Sequence, residues 1–243
     1  VDESVLKKII EGSELSKEDC VLEIGPGMGV MTQLLSEKAG KVLAVEIDRN
    51  LIPILKVTLF GYSNITLIND DIMQLDLKKT FEEHFGNMPV KVVANLPYYI
   101  TTPILMKLLE EDLPLSSITI MVQKEVGERL SAEPGSKAYG ALTVAVQYYS
   151  VPNKLMIVPS EAFVPKPEVE SMVIRLDIRE TPPVSVKDEK LFFKVVKAAF
   201  GQRRKPLLNA LSSGDLRVSK EGIKEILDKV GIDENRRGET LSL

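Results

Sequence analysis

The chain has 243 residues, a formal net charge of −4, one cysteine and one histidine, and 44% of its residues are hydrophobic. Its single cysteine, Cys20, excludes an internal disulfide and, with one histidine, a zinc site of Cys and His ligands. A Ser-His-Asp triad would need His84, which lies in a polar segment without a motif, and no apolar run approaches the roughly 20 residues of a membrane span. We therefore expect a cytoplasmic α/β protein whose chemistry needs no metal, thiol nucleophile or imidazole base.

In the first half of the chain, short apolar runs rich in β-branched residues alternate with helical patterns. The runs at 20–24, 42–46, 65–68, 90–94 and 118–122 predict buried strands, and the segments 30–38, 51–59 and 102–111 predict helices. Thr101 is predicted to cap the last of these helices, with Pro103 in its first turn. This alternation implies right-handed crossovers and a doubly wound, Rossmann-like sheet of mainly parallel strands.

The pattern changes in the second half of the chain. Apolar segments at 154–158 and 171–178 have no helix between them, which predicts an antiparallel pair at one edge of a seven-stranded sheet. A proline-rich linker follows at 181–185, and beyond it the helical patterns 188–200, 206–211 and 220–230. We therefore place a cofactor-binding catalytic domain at 1–180 and a small all-helical C-terminal domain at 181–243.

A glycine loop, Gly25-Pro26-Gly27-Met28-Gly29, connects the first strand to the first predicted helix. Glycines at such a position allow a tight turn and close approach of the backbone to a ligand. The dinucleotide fingerprint G-x-G-x-x-G has its third glycine one position later. The spacing found here, preceded by the acidic Glu23, favours a nucleoside-bearing cofactor without a pyrophosphate, such as S-adenosylmethionine.

Acidic residues follow the next two strands. Glu46 comes 21 residues after Gly25, where a carboxylate can accept both ribose hydroxyl hydrogens, and Asp71 can accept from an adenine amine while Ile72 packs on the ring. Each acid alone is more typical of a solubilising strand end, but both stand where open α/β sheets bind ligands. The candidate cofactor contacts are Glu23 (facing the cationic methionine end), Gly25, Gly27, Glu46, Ile47, Asp71, Ile72 and Asn95.

The fourth strand runs into Asn95-Leu96-Pro97-Tyr98. The Asn95 side-chain oxygen and the Leu96 carbonyl can together grip one exocyclic amine, and Tyr98 can stack on the base that carries it. Two acceptors favour a pyramidal nitrogen whose lone pair can attack a sulfonium methyl, so that catalysis is mostly positioning. For the neighbouring Tyr99 we favour a ring that points away from the site.

A base inside a helix cannot reach such a pocket, so the target must be flipped or already unpaired. A second stacking wall is then expected. Phe163, held between prolines in Pro159-Ser160-Glu161-Ala162-Phe163-Val164-Pro165-Lys166-Pro167, is our candidate. The alternative is that Phe163 anchors its loop over the core.

The C-terminal segment is cationic. From Leu191 to the end there are eleven Lys and Arg residues against seven Asp and Glu, whereas residues 1–190 have 20 against 28. Five cations cluster near the end of one predicted helix and are candidate phosphate contacts with RNA, although a solvated helix end is an equal alternative. They are Lys194, Lys197, Arg203, Arg204 and Lys205.

These motifs together resemble the rRNA adenine N6-dimethyltransferases, most closely their KsgA/dimethyladenosine transferase branch. The resemblance covers nearly the whole chain and rests on Val21–Gly27, Val45–Asp48, Asp71-Ile72, Asn95–Tyr98, Ala162–Pro167 and Phe200–Lys205. It implies a class I S-adenosylmethionine-dependent methyltransferase that dimethylates two adjacent adenosines in the 3′-terminal hairpin loop of small-subunit (16S) rRNA. It also implies action on the 30S particle during small-subunit assembly, and we expect a monomer.

The resemblance also marks two departures. The family carries a Gly-Gln-x-Phe-Leu motif before the position of Val1 and commonly continues for a few helical residues beyond Leu243, so we expect this chain to be part of a longer protein. Two alternatives stay open. One is a large-subunit rRNA adenine methylase of the macrolide-resistance type, which the Arg203–Leu207 segment disfavours. The other is a non-catalytic ribosome-assembly factor of the same fold. A DNA adenine methylase and an oxidoreductase fit less well.

Overall fold

The computed structural model of the protein describes residues 2–243, and Val1 lies outside the described part. The chain divides into two compact units. The first comprises the residues up to Gly127 together with Ser150–Arg179, and the second comprises Glu128–Tyr149 and Glu180–Leu243. The change at residue 180 falls at the predicted linker. By compactness, however, Glu128–Tyr149 groups with the helical unit, whereas the sequence boundary placed it in the catalytic domain.

Each strand and helix predicted from the sequence forms, although β5 and β6 begin at Leu115 and Ser150 rather than at 118 and 154, and α1, α4, α6 and α7 were not predicted. The strands are β1 (Cys20–Ile24), β2 (Lys41–Glu46), β3 (Ile65–Asn69), β4 (Val90–Asn95), β5 (Leu115–Gln123), β6 (Ser150–Val158) and β7 (Ser171–Ile178). The helices are α1 (Glu3–Gly12), α2 (Val30–Lys38), α3 (Leu51–Thr58), α4 (Leu77–Phe85), α5 (Thr101–Glu110), α6 (Lys124–Leu130), α7 (Ala141–Tyr149), α8 (Glu189–Gly201), α9 (Leu207–Ser212) and α10 (Lys220–Lys229). Among the described residues, no helix is both long and apolar enough to span a membrane.

The first unit is built on one seven-stranded sheet with the strand order β3-β2-β1-β4-β5-β7-β6. The first five strands pair in parallel, and β7 lies antiparallel to both β5 and β6. The predicted α/β class and mainly parallel sheet are therefore confirmed. All five residues of β1 are buried, and each large aliphatic side chain so buried contributes about 1.5–3 kcal/mol.

The chain reverses its direction of sheet growth between β1 and β4. From β1 it passes outward to β2 and β3, then returns to lay β4 on the other side of β1. Ile24 of β1 pairs with Ala94 of β4. The glycine loop, which follows Ile24, and Asn95, which follows Ala94, therefore lie side by side at the end of the sheet. Open α/β sheets bind ligands at this kind of switch point.

The start of α5 differs from the sequence prediction. Thr101 is the first helical residue, and Ile100 occupies the N-cap position without a side-chain cap. The Thr101 hydroxyl instead donates to the Pro97 carbonyl at 3.1 Å, and the Ile100 amide donates to the same oxygen at 3.2 Å. The threonine therefore fastens the turn that follows Asn95 rather than the helix amides.

The second unit has its own core. Ala198 of α8, Leu207 and Leu211 of α9, and Ile223 and Leu227 of α10 are buried together. The segment around α7 joins the same unit through aromatic contacts, because the rings of Tyr139 and Phe200 meet edge to face at 5.8 Å and those of Tyr148 and Phe192 lie 5.2 Å apart. These contacts explain why Glu128–Tyr149 groups with the helices that follow residue 180.

Candidate active site

A cavity of about 270 Å³ opens at the carboxyl ends of the parallel strands in the first unit. It brings together the glycine loop, the acidic residues after β2 and β3, and the start of the Asn95 turn. The lining residues are Ile24, Gly25, Gly27, Val45, Glu46, Ile47, Asp70, Asp71, Ile72, Asn95, Leu96, Pro97, Tyr99, Ile100 and Ile104. Of the eight candidate cofactor contacts, all except Glu23 lie on this cavity.

The glycine loop adopts a conformation that other residues disfavour. Gly25 has φ +70° and Gly27 has φ +58°, both in the left-handed region. A Cβ added at either position would meet no heavy atom within 4 Å, so the backbone there faces open space. The loop can therefore bring its amides close to a ligand.

Glu46 fixes the loop from the neighbouring strand. Its buried carboxylate accepts from the Gly27 amide at 3.2 Å through Oε2 and from the Asp48 amide at 2.9 Å through Oε1. A carboxylate offers about four lone-pair sites, so each oxygen can accept one further hydrogen. Glu46 is thus oriented by the backbone and can still bind the two hydroxyls of a ribose.

Asp71 is held in a similar way. Its Oδ1 accepts from the Met73 amide at 2.9 Å, and the side chain of Ile72 is buried beside it. The second oxygen, Oδ2, accepts no hydrogen from a described residue. An amine acceptor and an apolar surface therefore lie next to each other, as the edge and face of a purine would require.

Glu23 lies one residue before the cavity wall and is completely buried. Neither of its oxygens has a hydrogen-bond partner among the described residues, and the nearby Thr32 hydroxyl also lacks one of normal geometry. Burial raises the pKa of the Glu23 carboxyl from 4.5 to about 8, an effect that Thr32 partly offsets and the charge of Glu46 adds to. The charged form of a buried carboxyl is costly without a cation beside it. Because Glu23 has no exposed surface and does not line the cavity, its contact with a cationic ligand group stays a prediction.

Asn95 is the last residue of β4, where it pairs with Met121 of β5. Its carboxamide makes no hydrogen bond to a described residue, and the Leu96 carbonyl accepts none, although both residues line the cavity. The following turn is held by the Pro97 carbonyl, which accepts from Ile100 and Thr101. Two oxygens on a fixed turn are therefore available to one amine.

The two tyrosines after Pro97 have different surroundings. Tyr99 is among the residues that line the cavity, and it is 86% exposed, so the direction of its ring stays a prediction. The Tyr98 ring is half-buried, and its hydroxyl is hydrogen-bonded at 2.7 Å to the buried Ser171 hydroxyl at the start of β7. Tyr98 is not among the cavity residues. Its stacking role stays a prediction.

Phe163 lies away from the described cavity. It is half-buried and packs against a core cluster that includes Val5, Leu6 and Ile9 of α1. This is the loop anchor that the sequence left open as the alternative. A second stacking wall at Phe163 stays a prediction.

The five candidate RNA contacts fall into two groups. Lys194 and Lys197 line a separate cavity in the second unit, while Arg203 forms an ion pair with Glu239 at 2.9 Å and donates to the Lys137 carbonyl. Arg204 and Lys205 are exposed and make no described ion pair. Sequence reasoning missed this difference, because a charge cluster does not reveal which members are engaged within the fold.

The donor set indicates what the first cavity can hold. Carboxylates for hydroxyl and amine hydrogens, together with a glycine loop that faces open space, fit a nucleoside-bearing cofactor such as S-adenosylmethionine. Among residues 2–243, no group of three or more His, Cys, Asp or Glu side chains is placed to hold a metal ion.

Comparison with known proteins gives a consistent result. The family model described as ribosomal RNA adenine dimethylase matches residues 1–243. The chain is 58% identical to the ribosomal RNA small subunit methyltransferase A of Alkaliphilus oremlandii, over 100% of this chain and 85% of that protein. It is 49% identical to the protein of that name from Clostridioides difficile, over 100% of this chain and 84% of that protein.

Solved structures share the fold. A dimethyladenosine transferase from Plasmodium falciparum superposes with a TM-score of 0.84 at 24% identity, over 99% of this chain and 92% of that one. The 23S rRNA methyltransferase ErmE superposes with a TM-score of 0.75 at 24% identity, over 100% of this chain and 93% of that one. Because these identities are low, the two likenesses speak for the architecture alone.

Proposed function

The chain belongs to the ribosomal RNA adenine dimethylase family, and from this premise we propose that it dimethylates N6 of two adjacent adenosines in the 3′-terminal hairpin loop of 16S rRNA. The methyl donor is S-adenosylmethionine. The curated relatives, named ribosomal RNA small subunit methyltransferase A, support the small subunit as the source of the RNA. The physical substrate is the 30S particle, on which the protein acts as a monomer during assembly.

One observation carries the proposal. The free acceptors of Asn95 and Leu96 share a single cavity with Gly25, Glu46 and Asp71. A base amine bound by Asn95 and Leu96 would therefore lie beside a nucleoside cofactor bound by the other three residues.

The Asn95 Oδ1 and the Leu96 carbonyl accept the two N6 hydrogens of the flipped adenine. This pairing draws the nitrogen lone pair out of conjugation with the ring and fixes its direction. Restricting two reactants to one orientation can lower a barrier by about 7–11 kcal/mol. The bound cofactor supplies a methyl group on a sulfonium, whose leaving group is a neutral thioether.

The proton released from N6 on methylation goes to water. Neither an amide oxygen nor a backbone carbonyl is a base at neutral pH. Water can reach the edge of the cavity, since its lining residue Tyr99 is 86% exposed. The same site can then accept the monomethylated base for a second transfer, with one hydrogen left for the two acceptors.

The test uses unmethylated 30S and 50S particles, incubated separately with the full-length protein and methyl-labelled S-adenosylmethionine. We expect label only in 16S rRNA, at two adjacent adenosines of the 3′-terminal hairpin, as N6,N6-dimethyladenosine. Label in 23S rRNA, or binding to 30S particles without methylation, would overturn the proposal. Asn95→Ala is the matched control, which should bind 30S particles but not methylate them.

A further inference from the structure

A second cavity, of about 420 Å³, lies in the helical unit and shares no residue with the site already described. It is framed by the last turns of α8, by α9 and by the turn after α9. Its lining residues are Lys194, Lys197, Ala198, Gly201, Gln202, Ala210, Ser213, Gly214 and Asp215. This volume lies within the range of about 300–1,000 Å³ typical of small-molecule sites.

The cavity carries two available cations. Lys194 and Lys197 are three residues apart on α8, which places them side by side on one helix face. Both are exposed, and neither forms an ion pair with a described residue. Arg203, by contrast, is engaged with Glu239 within the unit. The free positive charge of the cavity therefore comes from the lysines.

Groups of other chemistry complete the lining. Asp215 is an exposed carboxylate without a described partner, and Gln202 adds a carboxamide. The Ser213 hydroxyl donates to the Asn209 and Ala210 carbonyls at 3.0 and 2.9 Å and can still accept. The small residues leave room for a ligand, since a Cβ added at Gly201 would meet no heavy atom within 4 Å.

We propose that this cavity binds one unstacked ribonucleotide of the substrate RNA. The two lysines hold its phosphate, the Asp215 carboxylate accepts from the ribose 2′-hydroxyl, and the Gln202 carboxamide meets the base edge. A carboxylate opposes a free phosphate ion but suits a ribose, which favours a nucleotide over a simple anion. That the nucleotide belongs to rRNA rests on the proposed function.

The first experiment titrates the protein, saturated with S-adenosylhomocysteine, with adenosine 5′-monophosphate and follows by NMR the resonances of the α8 and α9 residues that line this second cavity. Lys194→Glu with Lys197→Glu should weaken binding at least tenfold. The matched control, Lys190→Glu with Lys229→Glu, makes the same charge change in the same unit outside the cavity, and should keep binding within twofold. Equal loss in both double variants would overturn the proposal, because it would indicate only general attraction.

Two further variants test shape and sugar recognition without relying on the lysines. Gly201→Leu fills the second cavity without changing charge and should abolish nucleotide binding there, while binding in the first cavity stays unchanged. Asp215→Ala should remove the preference for adenosine 5′-monophosphate over its 2′-deoxy counterpart. Inorganic phosphate that binds as tightly as the nucleotide, or a 2′-deoxy counterpart that binds equally to the unmodified protein, would contradict a ribonucleotide site.

Failure of this proposal can be told apart from failure of the proposed function. Nucleotide binding in the helical unit is measured without methyl transfer, and Asn95→Ala should leave it intact. With 30S particles, the Lys194 and Lys197 variant should raise KM at least tenfold while kcat stays within twofold. The variant's binding to the particles should depend less on salt: the slope of log binding constant against log salt concentration should weaken by about 0.7 for each single-strand phosphate that the variant no longer neutralises. A fall in kcat at unchanged KM would overturn the proposal.

Discussion

The buried carboxyl of Glu23 makes stability depend on pH in a way that one isosteric substitution should remove. Glu23→Gln keeps the shape of the side chain and eliminates its ionisation. In the folded protein the Glu23 pKa is raised to about 8 from 4.5, because complete burial disfavours the charged carboxylate more than the Thr32 hydroxyl stabilises it. The folded state therefore binds more protons than the unfolded state between these two values.

The sign and size follow directly. Below pH 4.5 the carboxyl is protonated in both states and adds no pH-dependent cost. As the pH rises toward 8, the free energy of unfolding falls. Each pH unit costs about 1.36 kcal/mol, so at pH 7 the cost is about 3 kcal/mol. This is a large share of the total stability of about 5–15 kcal/mol of a typical protein.

The assay is urea unfolding, without cofactor, of the protein and of Glu23→Gln at several values from pH 5 to pH 8. We expect the two to differ by less than about 1 kcal/mol at pH 5 and the variant to be more stable by about 3 kcal/mol at pH 7. Glu37→Gln makes the same change at an exposed position of α2 and should shift stability by less than about 0.5 kcal/mol throughout. A difference between Glu23→Gln and the unmodified protein that does not grow with pH would refute the reasoning.

Three other predictions concern single side chains. Ser171→Ala removes the hydrogen-bond partner of the Tyr98 hydroxyl and should lower kcat several-fold at unchanged cofactor affinity. Tyr98→Phe removes the other partner of the same bond and should have the same effect. If the losses in kcat were additive in the double variant, the two side chains would not act through a shared hydrogen bond. Glu46→Gln replaces one of the two carboxylate oxygens, each of which accepts a backbone hydrogen, with an NH₂ group. The variant should bind S-adenosylhomocysteine at least tenfold more weakly, as measured by calorimetry. An unchanged affinity would exclude Glu46 from the ribose site. Arg203→Ala should lower the free energy of unfolding by about 1 kcal/mol because it removes the bonds to Glu239 and Lys137, with exposed Arg204→Ala near zero as its control. Equal unfolding of the two arginine variants would contradict a structural role for Arg203.

The parts of the site that depend on strand ends could be predicted from the sequence. Gly25, Glu46, Asp71 and Asn95 each follow an apolar run, and the parallel sheet brings the ends of such runs to one edge. Their placement on one cavity follows from the parallel pairing of these strands, which the alternation of strands and helices predicts. The strand order itself was not predicted. Backbone topology therefore accounts for most of the predicted cofactor site.

Side-chain directions in turns could not be predicted in the same way. The positions of Tyr98 and Tyr99 depend on the turn that the Pro97 carbonyl fastens and on a hydroxyl partner 73 residues away. Likewise, the grouping of Glu128–Tyr149 with the helical unit depends on ring contacts with α8 that no local pattern encodes. Long-range contacts of this kind leave no periodic signal in the sequence.

The most direct test of the central claim is a crystal structure of the protein with S-adenosylhomocysteine and adenosine 5′-monophosphate bound in the first cavity. We expect the adenine N6 within about 3 Å of both the Asn95 Oδ1 and the Leu96 carbonyl oxygen, with its free side directed at the sulfur. An adenine whose N6 faces solvent, or is held by other side chains while Asn95 stays unpaired, would contradict the account.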